Sequence, residues 1–304
     1  MNASPINPSD QARGCDEMNS DKLTFLYLDL AKQGGLSTSE PRVLYLEALY
    51  SISTLRADLD DNSSIVVYTN VPADYKNIPV QVEDVSAVMA EMMGPHSYVF
   101  RAKPWIMLHA MKQFGGICVF LDTDTFILPG FVRAIRDRIG NGPIVHEISN
   151  ATAPAYAQRV TKPFPHQDRH TGNRTCFECN SGVIGVRSGW GEALIEDTLH
   201  IIDDILPTRD WQRTLEQSAL ADAIGLHGLA AEPIAPWINH YFNRSKKRYM
   251  HSQIKQLLRR NDGKIDATRP CIAINPYRVK LYQYFHDTKA LFKSYRSYDT
   301  RLVE

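Results

Sequence analysis

The chain has 304 residues, 43% hydrophobic and 22% charged, with 34 Lys+Arg against 34 Asp+Glu. That composition belongs to a globular protein with a sizeable core, built as one domain or one domain with an appendage. No run approaches the ~20 apolar residues that a helix needs to cross a bilayer, so no membrane-spanning helix is expected. The zero net charge is unevenly spread. Residues 244–304 hold 15 Lys+Arg against 5 Asp+Glu, a balance of +10, which leaves −10 on the rest. Such polarity fits an anionic partner at the C-terminal end, such as a diphosphate, an acidic lipid surface or nucleic acid; mutual neutralisation of the two parts is the alternative. Overall balance and the lack of a recognisable nucleic-acid module weigh against nucleic acid. Five cysteines with no framework spacing, one of them (Cys118) inside an apolar run, point to a reducing compartment. The N-terminus lacks the charged start and apolar core of a signal peptide, so a cytoplasmic protein is expected, touching at most the inner face of a membrane.

In chain order, residues 1–21 are polar and predict a disordered tail. Leu23–Leu28 (LTFLYL) predicts a first strand, followed by a loop whose Gly34–Gly35 brings backbone close to a ligand. Glu40–Leu59 has helical periodicity, Ser64–Tyr68 (SIVVY) reads as a second buried strand, and Val80–Val85 as a shorter third. Pro104 suits the first turn of a helix that carries Ile106, Met111 and Phe114 and stops at Gly115–Gly116. Ile117–Leu121 (ICVFL) is wholly apolar and predicts a strand buried on both faces. A helix at 130–139, a strand near Ile144–Val145 and a long aperiodic loop from Asn150 to Arg174 come next. Then follow a strand at Cys179–Val186, helices at 190–205 and 209–225, and a basic helix at Arg244–Arg260 whose apolar face is Met250, Ile254, Leu257 and Leu258. Strands alternating with helices predict a doubly wound, mainly parallel sheet. The expected organisation is a tail at 1–21, a nucleotide-sugar-binding catalytic domain at 22–243, and a basic, aromatic-rich helical extension at 244–304 packed on it.

Asp122 and Asp124 stand at the carboxyl end of the ICVFL strand, where ligands collect in open α/β sheets. Two carboxylates one residue apart grip a hard divalent cation and leave positions for phosphate oxygens. The bare pattern is weak, since Asp58-Leu59-Asp60 shares it at a helix end. Context distinguishes the second copy: a buried strand before it and a Pro-Gly turn after it.

The block FLDTDTFI, Arg101 and Lys103 before it, CNSGVIG at 179–185, Glu216-Gln217-Ser218-Ala219, and His240 with Lys246 six residues on together resemble a known family. It is that of metal-dependent, nucleotide-sugar-using glycosyltransferases of the A-type fold, near the glycogenin-like and lipopolysaccharide-galactosyltransferase-like groups and their bacterial capsule relatives. The resemblance covers roughly residues 23–247. It departs where the family has Gly three residues after its His, here Asn243, and Pro-Trp after its Lys, here Lys247–Arg248; the family's Asp-Gln is Glu216–Gln217.

The resemblance implies a Rossmann-like nucleotide-diphospho-sugar transferase fold and Mn²⁺ or Mg²⁺ held by Asp122, Asp124 and His240, with His251 a competitor for the third place. It implies a donor site lined by Tyr27, Arg101, Lys103, Asp122, Asn180, Ser181 and Lys246, the last meeting phosphate. Glu216 is the expected base in an inverting mechanism and Gln217 the sugar-facing residue in a retaining one; residue type leaves both open. The donor implied is a UDP-sugar, and the acceptor a glycan, glycolipid or lipopolysaccharide-like molecule.

Outside this pattern, His166, His170, Cys176 and Cys179 form a possible zinc set within the long loop, which otherwise reads as an acceptor-binding lid. Two rival functions remain. A haloacid-dehalogenase-type phosphatase also ends its nucleophile strand in Asp-x-Asp, but needs a later acidic pair, for which Asp203–Asp204 is the candidate. A non-catalytic protein that binds anionic surfaces through its basic C-terminal segment is the other.

Overall fold

A computed structural model describes residues 22–31, 43–140, 142–150, 177–208, 214–261 and 274–284, with Ile265 and Ala267. The predicted tail, the Gly34–Gly35 loop, and His166, His170 and Cys176 of the zinc set lie outside the described residues.

The strands are β1 (Leu23–Asp29), β2 (Ser63–Thr69), β3 (Gln81–Asp84), β4 (Ile117–Leu121), β5 (Thr125–Ile127), β6 (Ile144–Asn150), β7 (Phe177–Arg187), β8 (Glu232–Pro233) and β9 (Ile238–His240). The helices are α1 (Val43–Arg56), α2 (Met89–Met93), α3 (Ala102–Phe114), α4 (Phe131–Arg138), α5 (Gly191–Ile205), α6 (Leu215–Leu226) and α7 (Arg244–Arg260). Seven strands form one sheet in the order β3-β2-β1-β4-β7-β6-β8. Only β7 runs against the others, because it pairs antiparallel with both β4 and β6. The protein is thus α/β with a mixed, mostly parallel sheet.

Alternation along the strands assigns each sheet face its own core. Phe25, Tyr27, Val67, Val119 and Val183 point to one face and pack with Tyr50 and Ile52 of α1, Phe131 and Ile135 of α4, and Met250 and Ile254 of α7. Leu26, Val66, Tyr68, Phe120 and Ile184 point to the other, against Ile106 and Ala110 of α3, Leu194 of α5 and Ile224 of α6. With helices on both faces β4 has no wet side, and all five of its residues are buried. The chain leaves β1 for β2 and β3, then returns to lay β4 on β1's other flank. The carboxyl ends of β1 and β4 therefore flank the point where strand order reverses, the preferred ligand position in such sheets.

Punctuation explains the ends of the elements. Gly115 and Gly116 take positive φ (63° and 66°), which stops α3 and turns the chain into β4. Helix α1 ends at Arg56, before the predicted 59: Ala57 and Asp58 close it with bonds to Thr54 and Leu55. The basic helix starts and ends where its sequence implies, with the Asn243 side chain capping its first turn by accepting from Lys246 N–H at 2.8 Å. It belongs to the main core, which also takes in Ile265, Ala267 and Val279. Among the described residues, no helix is long and apolar enough to cross a membrane.

The first Asp-x-Asp has a structural task. Helix α4 has no cap of its own, and Asp58 supplies one from a distance, accepting from the N–H groups of Gly130 (2.7 Å) and Val132 (2.8 Å). Asp60 pairs with Arg136 on the same helix. Replacing Asp58 by Ala orphans two helix N-terminal donors and is expected to lower unfolding free energy in urea by about 1–2 kcal/mol. An unchanged urea midpoint contradicts this assignment.

Candidate metal centre at the end of strand β4

Beyond Leu121 the backbone is held tightly. Asp122 N–H continues the ladder by donating to Gly182 O at 3.0 Å. The Thr125 hydroxyl donates back to Asp122 O at 2.8 Å, is bonded to Ser51 Oγ at 3.0 Å, and Ser51 in turn to the Tyr27 hydroxyl at 2.9 Å. The chain then runs into β5, which pairs antiparallel with β9 so that Thr125 faces His240. Tyr241 N–H donates to Asp124 O at 3.0 Å. This two-stranded ladder is what delivers His240 to a carboxylate 116 positions away.

Asp122, Asp124 and His240 each offer one ligand atom, all within 4.8 Å of one another. His240 Nε2 lies 3.2 Å from Asp124 Oδ1 and 3.6 Å from Asp122 Oδ2. The opposite ring nitrogen settles the chemistry. Asn180 Oδ1 accepts from Gly182 N–H at 2.9 Å, so it is the amide oxygen that faces His240 Nδ1 at 3.2 Å. Nδ1 therefore carries a proton, and Nε2 faces two carboxylates, as the N–H of an imidazolium or as the nitrogen that a cation would meet. Either a second proton on the ring or a cation satisfies that convergence. Fixing one imidazole nitrogen through a neighbour so that the other is free to ligate is the usual support of a metal site.

Gly182 is required for this approach: a Cβ there would lie 2.2 Å from His240 Nδ1 and 2.4 Å from its Cε1. Two blocks of the sequence pattern, Asn180–Ser181–Gly182 and His240, are thus one physical contact. His146, from β6, packs edge-on against His240 with ring centroids 5.2 Å apart. Burial, then the charges of His240 and Lys246, push its pKa down to about 3, so a neutral ring backs the site.

Each carboxylate has its own ammonium. Lys103 Nζ reaches Asp122 at 2.8 and 3.0 Å from inside the protein and donates to Ser181 Oγ at 3.2 Å, with Phe100 and Phe120 rings over it. Burial opposes its charge, but Asp122 and Glu216 prevail and raise its pKa. On the other side, Lys247 Nζ lies 2.8 Å from Asp124 Oδ2. Burial works against ionisation of Asp124 as well. The hydrogen bond and charge of His240, with Lys247, outweigh it and hold the carboxyl well below the usual range.

Several expected site residues stand elsewhere. Tyr27 is fully buried and acts through Ser51 and Thr125 on the Asp122 backbone, so it does not line a donor site. Arg101 is fixed to Asp203 by two bonds of 2.6 and 2.8 Å and to the carbonyls of Glu91 and Met92, facing away from the carboxylates. That pairing also places Asp203, a candidate acidic residue for the phosphatase reading, outside the cluster. Glu216 is 2% exposed, and its oxygens accept from Ser181 Oγ (2.9 Å) and the Tyr98 hydroxyl (2.7 Å). Burial raises its pKa against the pull of Lys103. An enclosed, doubly bonded carboxylate cannot take a proton from an acceptor hydroxyl, so the base role does not fit its placement. Gln217 is half-buried, with its backbone carbonyl accepting from Cys179 Sγ. His251 bonds Glu47 at 2.7 Å and is not a member of the cluster. Lys246 lies over the Phe242 ring, and its neighbour Lys247 makes the Asp124 contact. Lys247 was missed because the family pattern counts six residues from the histidine, whereas the Asn243 cap sets which lysine of α7 faces inward.

No protein-family model matches the chain, and no curated protein matches it.

Gly182→Ala is expected to drive the imidazole off Asp124. Mn²⁺ affinity by calorimetry should fall at least about tenfold, as displaced supporting residues do at metal sites, with a stability loss of about 1–3 kcal/mol from overpacking. Unaltered Mn²⁺ binding would show that His240 is not a ligand.

Proposed function

We propose that the protein is a metal-dependent glycosyltransferase that moves a sugar from a nucleotide diphosphate, with a UDP-sugar the favoured donor and a glycan or glycolipid the acceptor. The observation that carries this reading is the convergence of Asp122, Asp124 and His240 at the strand-order reversal of an α/β sheet. What supports the sugar-nucleotide assignment is the resemblance of the same residues, in the same order, to the A-type glycosyltransferases. The sheet, with its single reversed strand β7 beside β4, is compatible with that fold.

The donor set favours Mn²⁺ over Mg²⁺, since two carboxylates suit either ion while an imidazole suits the softer one. A cation bound there neutralises the diphosphate that departs as the anomeric carbon–oxygen bond breaks. Asp122 and Asp124 hold it, and His240, oriented by Asn180 and seated on Gly182, completes the protein side. Lys103 stays behind Asp122 as a buried counter-charge that fixes that carboxylate in place. Ser181 and Glu216 anchor Lys103 from the far side, so their contribution is to position.

Thermal shift with UDP-sugars, with and without Mn²⁺, tests the reading, because a ligand that binds only the folded chain raises its apparent stability. Stabilisation should require the sugar nucleotide and Mn²⁺ together. Asp122→Asn with Asp124→Asn should abolish it and reduce transfer by more than about a hundredfold. Undiminished stabilisation in EDTA, or transfer that survives the double substitution, refutes the proposal.

A further inference from the structure

Lys247 Nζ holds Oδ2 of Asp124 at 2.8 Å while His240 Nε2 faces Oδ1, so a cation gathered by Asp122, Asp124 and His240 would share one carboxylate with an ammonium. On α7, Lys247 and His251 are one turn apart and share a face. His251 Nε2 binds Oε1 of Glu47 at 2.7 Å, while Oε2 of that side chain is buried with no hydrogen-bond partner among the described residues. Glu47 is 1% exposed, and a polar oxygen left unpaired at such depth is costly. The hydroxyl of Tyr241, whose backbone N–H donates to Asp124 O at 3.0 Å, is likewise buried and without a partner among the described residues. The Lys247 side chain is 35% exposed against 12% for Asp124, so it is the partner with freedom to move.

We propose that Lys247 is a relocatable counter-ion. It clasps Asp124 when no cation is bound, and a divalent cation entering between Asp122, Asp124 and His240 displaces it to Glu47 Oε2 and the Tyr241 hydroxyl. The inference rests on the metal-site reading above and adds to it. The exchange leaves positive charge on Asp124 whether or not the ion is bound, so the carboxylates are not left to repel each other without it. It also makes cation affinity a difference between two ion pairs, one broken and one made. Glu47 thereby becomes a determinant of metal binding without touching the metal.

Calorimetry with Mn²⁺ alone, on the full chain stripped with EDTA, gives opposite signs for two variants. Lys247→Met removes the competitor, and should tighten Mn²⁺ binding by about tenfold, the worth of one charge-assisted hydrogen bond. Glu47→Gln removes the receiving charge, and should weaken it by about the same factor. A residue that merely braces the fold would weaken binding when Lys247 is replaced, and that result, or no change, overturns the proposal. If neither wild type nor variant binds Mn²⁺, the metal site itself is refuted; if both bind equally, only the exchange is. Lysine ammonium NMR on the wild type avoids dependence on variant folding. The Lys247 resonance should move when Mg²⁺ saturates the site, and a stationary resonance under saturation overturns the exchange.

Discussion

Two carboxylates gathered within a few ångströms beside an imidazole at the end of a buried strand repel one another unless positive charge is near. Much of the surrounding structure answers that requirement. Lys103 meets Asp122 from the core, and Lys247 meets Asp124 from the rim. The two ammoniums differ in kind. Lys103 is sealed among Phe100, Phe120, Ser181 and Glu216, and is a permanent part of the interior. Lys247 reaches in from a partly exposed helix. The site therefore has one fixed counter-charge and one exchangeable one.

The fold serves that cluster by fixing backbone rather than by lining a cleft. The main sheet brings Asp122 opposite Gly182, and the β5–β9 ladder brings His240 to Asp124. The buried hydroxyl relay from Tyr27 through Ser51 and Thr125 ties the Asp122 carbonyl to the first strand and to α1. The hydroxyls of this relay are buried, and each is hydrogen-bonded to the next. The basic C-terminal helix is part of the same construction, since its Lys247 and His251 pair with carboxylates of the acidic portion. Some of the chain's charge polarity is thus neutralised internally.

What could be read from the residues beforehand follows the range of the interaction. ICVFL predicted a doubly buried strand because composition alone encodes that environment, and the glycines before it encode the turn. The basic helix was legible to its end residues through its cationic run and its apolar spacing. The grouping of Asp122, Asp124 and His240 was legible because the two aspartates stand one residue apart and His240 sits in a recognisable pattern. Choosing His240 over His251 needed the β5–β9 pairing, and the inward turn of Lys247 needed the helix phase. Tyr27, Arg101 and Glu216 carry the right chemistry for a donor site, yet each is engaged by a distant partner: Ser51, Asp203, or Tyr98 with Ser181. Contacts between residues a hundred positions apart leave no mark in local pattern. The Asp58–Asp60 pair makes the same point in reverse, since a motif identical to the metal pair caps a helix.

The central claim is that His240 joins the two carboxylates around one cation. Pulsed electron paramagnetic resonance of Mn²⁺ bound to the protein reads this directly, through coupling of the metal's electron spin to a ligating nitrogen. The account predicts nitrogen modulation from a single imidazole, abolished by His240→Ala and unaffected by His251→Ala. Bound Mn²⁺ without nitrogen coupling, or coupling that survives His240→Ala, would contradict it.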